Sequence, residues 1–126
     1  MDMMDRTGSH GEFEVSGNQR RLSSDLELGL FRIAQEALSN VERHARATKV
    51  VVAIEFTNNK ITLKIQDNGV GITQGVNPKR VAATDGGLGI LGMEERAELL
   101  EGKLEIQSSH ANGTKITAVI PVQIHQ

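Results

Sequence analysis

The chain is predicted to adopt an α+β fold, a two-layer α/β sandwich whose mixed, mostly antiparallel sheet is covered by helices on one face. Three observations carry that expectation. Leu30, Ile33, Ala37, Leu38 and Val41 repeat with helical spacing and form one apolar arc. The stretches KVVVAIEF, KITLKIQ and TKITAVIPV instead alternate every second residue, as strands do. Strands with one apolar and one polar face make a sheet that needs cover on one side only, and the amphipathic helices supply it.

The elements follow in order. Residues 1–12, MDMMDRTGSHGE, are polar and without period, so they are expected to be a disordered leader or a remnant of expression, and the domain is taken as residues 13–126. Phe13 to Val15 forms a short strand and SGNQRR a turn. Ser24 with Glu27 three positions on reads as a capping box, which starts the first helix near Asp25 and carries it to about Arg46. KVVVAIEF then turns Val50, Val52, Ile54 and Phe56 to one face. Asn58-Asn59 makes a tight turn, because Asn tolerates positive φ, and KITLKIQ returns with Ile61, Leu63 and Ile65 inward. From Asp67 to Gly89 periodicity fails, and a loop of that length inside a compact domain is usually functional. ILGMEERAELLEG resumes a helix with Met93, Ala97 and Leu100 on one face and Gly102 as its C′ stop. KLEIQSS, the turn HANG and TKITAVIPV close a second hairpin, with Leu104, Ile106, Ile116, Ala118 and Ile120 inward.

Bulk properties narrow the function. A chain of 126 residues can bury one core, which three Phe and no Trp or Tyr make aliphatic. A net charge of −2 without a Lys/Arg run gives no footprint for nucleic acid or an anionic membrane. Without cysteine there is no disulfide or thiolate chemistry, and no apolar run is long enough to span a bilayer, so a cytoplasmic location is expected.

The first helix raises the functional question. In FRIAQEALSNVERHA, residues Glu36, Asn40, Arg43 and His44 lie along the border of the apolar arc rather than opposite it. Arg32 and Glu36 also form an ordinary i,i+4 pair, so the stripe alone is equally a solvated face. In DNGVG, Asp67 ends a strand, and Gly69 and Gly71 permit backbone angles or a close ligand approach that a Cβ would block; the same residues suit a plain turn. In DGGLGILGM three glycines open the second helix with no capping residue immediately before it. An anion would both satisfy the free N–H groups and meet the positive end of the helix dipole, although glycine-rich helix starts are often simple loops.

The order of these features is more specific than any one of them: Glu-x-x-x-Asn on a helix, Asp-x-Gly-x-Gly after a strand, a long loop, a glycine-rich helix start and Gly-Thr opening a strand. In this order the chain resembles the Bergerat ATP-binding fold of the GHKL superfamily, shared by gyrase, mismatch-repair ATPases and bacterial histidine kinases. FRIAQEALSNVERHA and GLGILGMEERAELLEG are most similar to the catalytic domain of sensor kinases of the nitrate-sensor and desaturase-thermosensor type. The resemblance spans about Phe13 to Val122.

The resemblance implies Mg²⁺ and ATP as ligands. Asn40 corresponds to the Mg²⁺ ligand and Glu36 to the residue that orients a metal-bound water, the two positions with catalytic roles. Arg43 falls where a basic residue faces the phosphates, and His44 beside the nucleotide. Asp67 corresponds to the adenine anchor, with Gly69 and Gly71 passing beside the base and Thr114 joining its hydrogen-bond network. Gly87, Leu88 and Gly89 correspond to the box whose amides cradle phosphate. Thr73 to Gly86 corresponds to the ATP lid, ordered by nucleotide and loose without it. The implied partners are the kinase's own dimerisation helices, which bear the phosphoacceptor histidine, and a downstream response regulator.

Two features depart from the pattern. Glu94 stands where relatives commonly carry Arg, and no helical hairpin with a phosphoacceptor histidine is present among the sites of His10, His44, His110 and His125. The chain is therefore expected to bind Mg·ATP without phosphorylating itself. Two other readings use the same fold: a serine kinase that inhibits a sigma factor, and a degenerate domain that only binds protein. The long GILGMEERAELLEG helix disfavours the first, and the intact Glu36, Asn40, Asp67, Gly69, Gly71, Gly87 and Gly89 disfavour the second.

Overall fold

A computed structural model describes residues 2–4, 10–18, 21–41, 48–69, 90–109 and 113–122. The elements in chain order are β1 (Asp2–Met4), β2 (His10–Gly17), α1 (Ser24–Asn40), β3 (Lys49–Phe56), β4 (Lys60–Asp67), α2 (Ile90–Leu99), β5 (Lys103–Ser109) and β6 (Gly113–Pro121). Among the described residues the strands form one sheet in the order β1-β2-β3-β4-β6-β5. Only the β2–β3 pair is parallel; every other pair is antiparallel. This is the predicted mixed, mostly antiparallel sheet.

The alternation read from the sequence is the alternation that packs. Val50, Val52, Ile61, Leu63, Ile65, Ile116, Ala118 and Ile120 turn to one face, where they meet Leu26, Leu30, Ile33, Ala37 and Val41 of α1 and its cap, and Ile90, Met93 and Ala97 of α2. Burying one Leu or Ile from water contributes about 1.5–3 kcal/mol, so this aliphatic cluster is the main stabilising term. The opposite face keeps Glu55, Lys64 and Gln66 toward solvent. Thr62 on that face is nevertheless buried, because β4 lies centrally with Glu55 and Val119 directly across from it on its two neighbours.

Three local expectations are revised, and a fourth falls in part outside the described residues. Asp2–Met4 and His10–Glu12, set aside as outside the fold, stand in strands. The N-cap of α1 is Ser23 rather than Ser24: its hydroxyl accepts from the backbone N–H of Leu26 at 3.2 Å, and Glu27 N–H bonds the Ser23 carbonyl at 3.0 Å. The cap moves one residue because Ser23 is extended while Ser24 is already helical. At the end of α2 the left-handed C′ residue is Glu101, with φ of 63°, and Gly102 is the residue after it. Gly102 N–H reaches the Ala97 carbonyl at 2.7 Å and Glu101 N–H the Glu98 carbonyl at 2.9 Å, which together make a Schellman cap. Gly102 is needed for space instead: a Cβ there would lie 2.5 Å from the Val119 carbonyl oxygen. The fourth concerns α1, described as helix as far as Asn40; the expected continuation to Arg46 falls on residues 42–47, outside the described residues.

The cap assignment has a direct check. Ser23→Ala should lower stability by about 1 kcal/mol, whereas Ser24→Ala should leave the urea midpoint nearly unchanged. Equal losses in both variants would contradict Ser23 as the cap.

Candidate functional site

Of the predicted site residues, the structure describes Glu36, Asn40, Asp67, Gly69 and Thr114; Arg43, His44, Gly71, Gly87, Leu88, Gly89 and the predicted lid lie outside the described residues. Glu36 and Asn40 are half-buried on α1, four residues apart on one flank. Gly29 shares that flank about two helical turns before Glu36, and its missing side chain lets Leu100 approach, since a Cβ on Gly29 would sit 2.6 Å from the Leu100 Cδ1 atom. The α2 end thus packs on the flank that carries Glu36 and Asn40 further along the helix.

Asp67 is the last residue of β4 and shares the parity of Ile61, Leu63 and Ile65, so its carboxylate points to the face that α1 covers. It is 5% exposed. A carboxylate in that position costs several kcal/mol in lost hydration unless donors replace the water. Its Oδ1 accepts two: the Gly69 backbone N–H at 2.8 Å and the Thr114 backbone N–H at 3.3 Å. Among the described residues none donates to the second oxygen, Oδ2. A buried carboxylate with one oxygen tied by backbone and the other free of described donors fits a ligand that brings an N–H, such as an exocyclic amine.

Two residues the sequence reading did not single out complete this seat. Gly113 opens β6 at φ of 84°, and a Cβ on it would lie 2.0 Å from the Asp67 carbonyl oxygen and 2.8 Å from Oδ1. It is the residue that lets β6 close on the carboxylate; the sequence signal was present in Gly-Thr, but the glycine was absorbed into the turn HANG. Asn68 accepts from the N–H groups of Thr48 at 3.0 Å and Lys49 at 2.9 Å and donates to the Thr48 hydroxyl at 3.0 Å.

No group of three or more His, Cys, Asp or Glu arranged for a metal occurs among the described residues. An Mg²⁺ ion commonly takes only one or two protein oxygens and completes its shell with phosphates and water, so a single amide oxygen such as that of Asn40 is a donor set of the right kind. A groove of about 320 Å³ on the uncovered face, lined by Glu14, Glu55, Lys64 and Lys115 among others, contains none of the predicted site residues.

Gly113→Ala should lose about 1–3 kcal/mol of stability through the left-handed backbone alone, with the contact against Asp67 adding to it. A melting temperature equal to the parent's would show that β6 does not close on Asp67 as described.

Comparison with known proteins bears on the family and the fold. Residues 25–124 match the sequence profile described as "Histidine kinase-, DNA gyrase B-, and HSP90-like ATPase". The histidine-protein kinase/phosphatase DegS of Brevibacillus brevis is 37% identical over 118 residues, covering 94% of this chain and 29% of the relative. The oxygen sensor histidine kinase NreB of Staphylococcus carnosus is 34% identical over 115 residues, covering 91% of this chain and 32% of the relative. The chain therefore spans about a third or less of these relatives. Among solved structures, the histidine kinase AdeS of Acinetobacter baumannii superposes with a TM-score of 0.72 at 18% identity, covering 90% of this chain and 54% of that one, a likeness of fold.

Proposed function

Because the chain belongs to the histidine kinase-, DNA gyrase B- and HSP90-like ATPase family, we propose that it is the ATP-binding catalytic domain of a sensor histidine kinase. The observation that carries the nucleotide assignment is the Asp67 carboxylate, buried, with Oδ1 held by two backbone N–H groups. Its Oδ2 would accept from the 6-amino group of adenine; guanine presents an oxygen there, which the carboxylate repels. Gly69 and Gly71 give the base room beside the backbone, and the Thr114 hydroxyl joins the polar edge.

Asn40 is the residue proposed to hold Mg²⁺ through its side-chain oxygen, with Glu36 one turn earlier orienting a coordinated water. The ion would supply charge neutralisation at the β- and γ-phosphates. Arg43 and His44 are assigned to the phosphate side of the nucleotide, and the amides of Gly87, Leu88 and Gly89 to the phosphates themselves. The start of α2 supports that last assignment, for its first turn carries no acidic side chain to oppose an anion.

Phosphoryl transfer asks little covalent chemistry of a protein and much positioning, so this domain would present the γ-phosphoryl group to a histidine on dimerisation helices, from which it passes to a response regulator. No described helix is long and apolar enough to cross a membrane. A cytoplasmic setting, where ATP is abundant, is part of the proposal.

Calorimetric titration tests it. With Mg²⁺, ADP should bind the parent at least tenfold more tightly than GDP, and Asp67→Asn should weaken ADP by about tenfold or more, the size of one charge-assisted hydrogen bond. Equal affinities for the two nucleotides in the parent would refute the adenine assignment. Incubated alone with γ-labelled ATP, the chain should acquire no phosphohistidine; a stable label on one of its own histidines would contradict the division of roles.

A further inference from the structure

We propose that Asn68 is a positioning residue for adenine recognition: its side-chain amide ties the turn that carries Asp67 to the backbone entering β3. The inference rests on the reading of Asp67 as the adenine acceptor and concerns a residue to which that reading gives no part.

The contacts are specific in kind as well as number. The side-chain oxygen Oδ1 of Asn68 accepts from the N–H of Thr48 at 3.0 Å and of Lys49 at 2.9 Å, so both of its lone pairs are used. Its Nδ2 donates to the Thr48 hydroxyl at 3.0 Å, and its backbone N–H donates to the Lys49 carbonyl at 3.2 Å. The β3–β4 ladder ends with the pair Val50 and Asp67. Beyond that pair the Asn68 backbone N–H and its side chain together supply the next rung.

This rung sits between two atoms that define the site. The Gly69 N–H closes back on the Asp67 carboxylate, forming a turn in which Asn68 is the middle residue. Rotation about the Asn68 backbone would move the Gly69 donor relative to the Asp67 carboxylate. Asn68 and Thr48 are both exposed, so water could satisfy the same polar groups if the clamp were absent. The bonds are therefore not required to satisfy a buried group; what they fix is direction. They also fix where the chain leaving α1 re-enters the sheet, since Thr48 follows Asn40 by eight positions. The clamp thereby joins the segment after the proposed metal ligand to the turn of the proposed adenine anchor.

An aspartate at 68 would keep the two acceptor contacts to the backbone amides, while alanine would lose all three side-chain bonds. That difference separates positioning from general destabilisation. The test is calorimetric titration of ADP and GDP, with Mg²⁺, into the parent, Asn68→Ala and Asn68→Asp, each at a temperature well below its own melting midpoint. Because the two nucleotides carry the same phosphates, their affinity ratio cancels the charge that Asn68→Asp adds. The expected result is a fall of about tenfold in the ADP-over-GDP preference of Asn68→Ala, carried by weaker ADP binding, with most of the preference retained in Asn68→Asp. An unchanged preference in Asn68→Ala, or equal losses in both variants, overturns the inference while leaving Asp67 in place. A parent that does not prefer ADP removes the Asp67 reading itself, so the two failures are distinguishable. Should Asn68→Ala not fold, Thr48→Val, which deletes only the acceptor for Nδ2, is titrated instead. A drop in preference of about twofold or more supports the clamp, and no drop overturns it.

Discussion

A carboxylate held in the core at the end of a central strand is the constraint around which the rest of this molecule is arranged. Asp67 loses nearly all its contact with solvent, a loss that must be offset by donors aimed at it. Those donors are backbone N–H groups from two places far apart in sequence, Gly69 in the turn that follows and Thr114 in β6. One donor comes from the turn that continues β4 and the other from its neighbour β6, so the convergence depends on β6 lying beside β4. Gly113 is the geometric condition for that placement, for any side chain there would occupy the space of the Asp67 carbonyl.

The helical layer answers to a different requirement. α1 uses one arc, Leu26, Leu30, Ile33 and Ala37, to bury apolar area on the sheet, and an adjoining flank, Gly29, Glu36 and Asn40, to meet the region where α2 packs. Binding polar groups at the border of a core keeps them ordered by their apolar neighbours without enclosing them. The superposition on AdeS at 18% identity fits this division, because alternation and helical period preserve a fold through extensive change of individual residues.

Much of the architecture was legible in the chain because each strand has an unambiguous two-residue period. The stretches KVVVAIEF and KITLKIQ gave their limits to within a residue, and the inward set Ile61, Leu63 and Ile65 is the buried set. The errors fell where local signals compete. Two adjacent serines offered two N-caps, and the box with Glu27 favoured the wrong one. A glycine after a helix suggested left-handed backbone, yet Glu101 adopts it, because Gly102 is spent on the approach of Val119 and Ile120. The polar start of the chain carried no period, and its pairing with β2 and of β2 with β3 depends on long-range register that no local pattern reveals. At the site, Asp67 was readable as the end of a strand before two glycines. The donors it needs were not, since Thr114 meets it only after β6 has been placed beside β4.

The measurement that bears most directly on the buried carboxylate is a two-dimensional ¹⁵N–¹H spectrum recorded through a titration with Mg·ADP. If the base docks on Asp67, the amide resonances of Gly69 and Thr114, both bonded to its Oδ1, should move together and saturate with the same affinity as the nucleotide. Tight binding of ADP that leaves both resonances where they were would place the nucleotide elsewhere and contradict the account at its root.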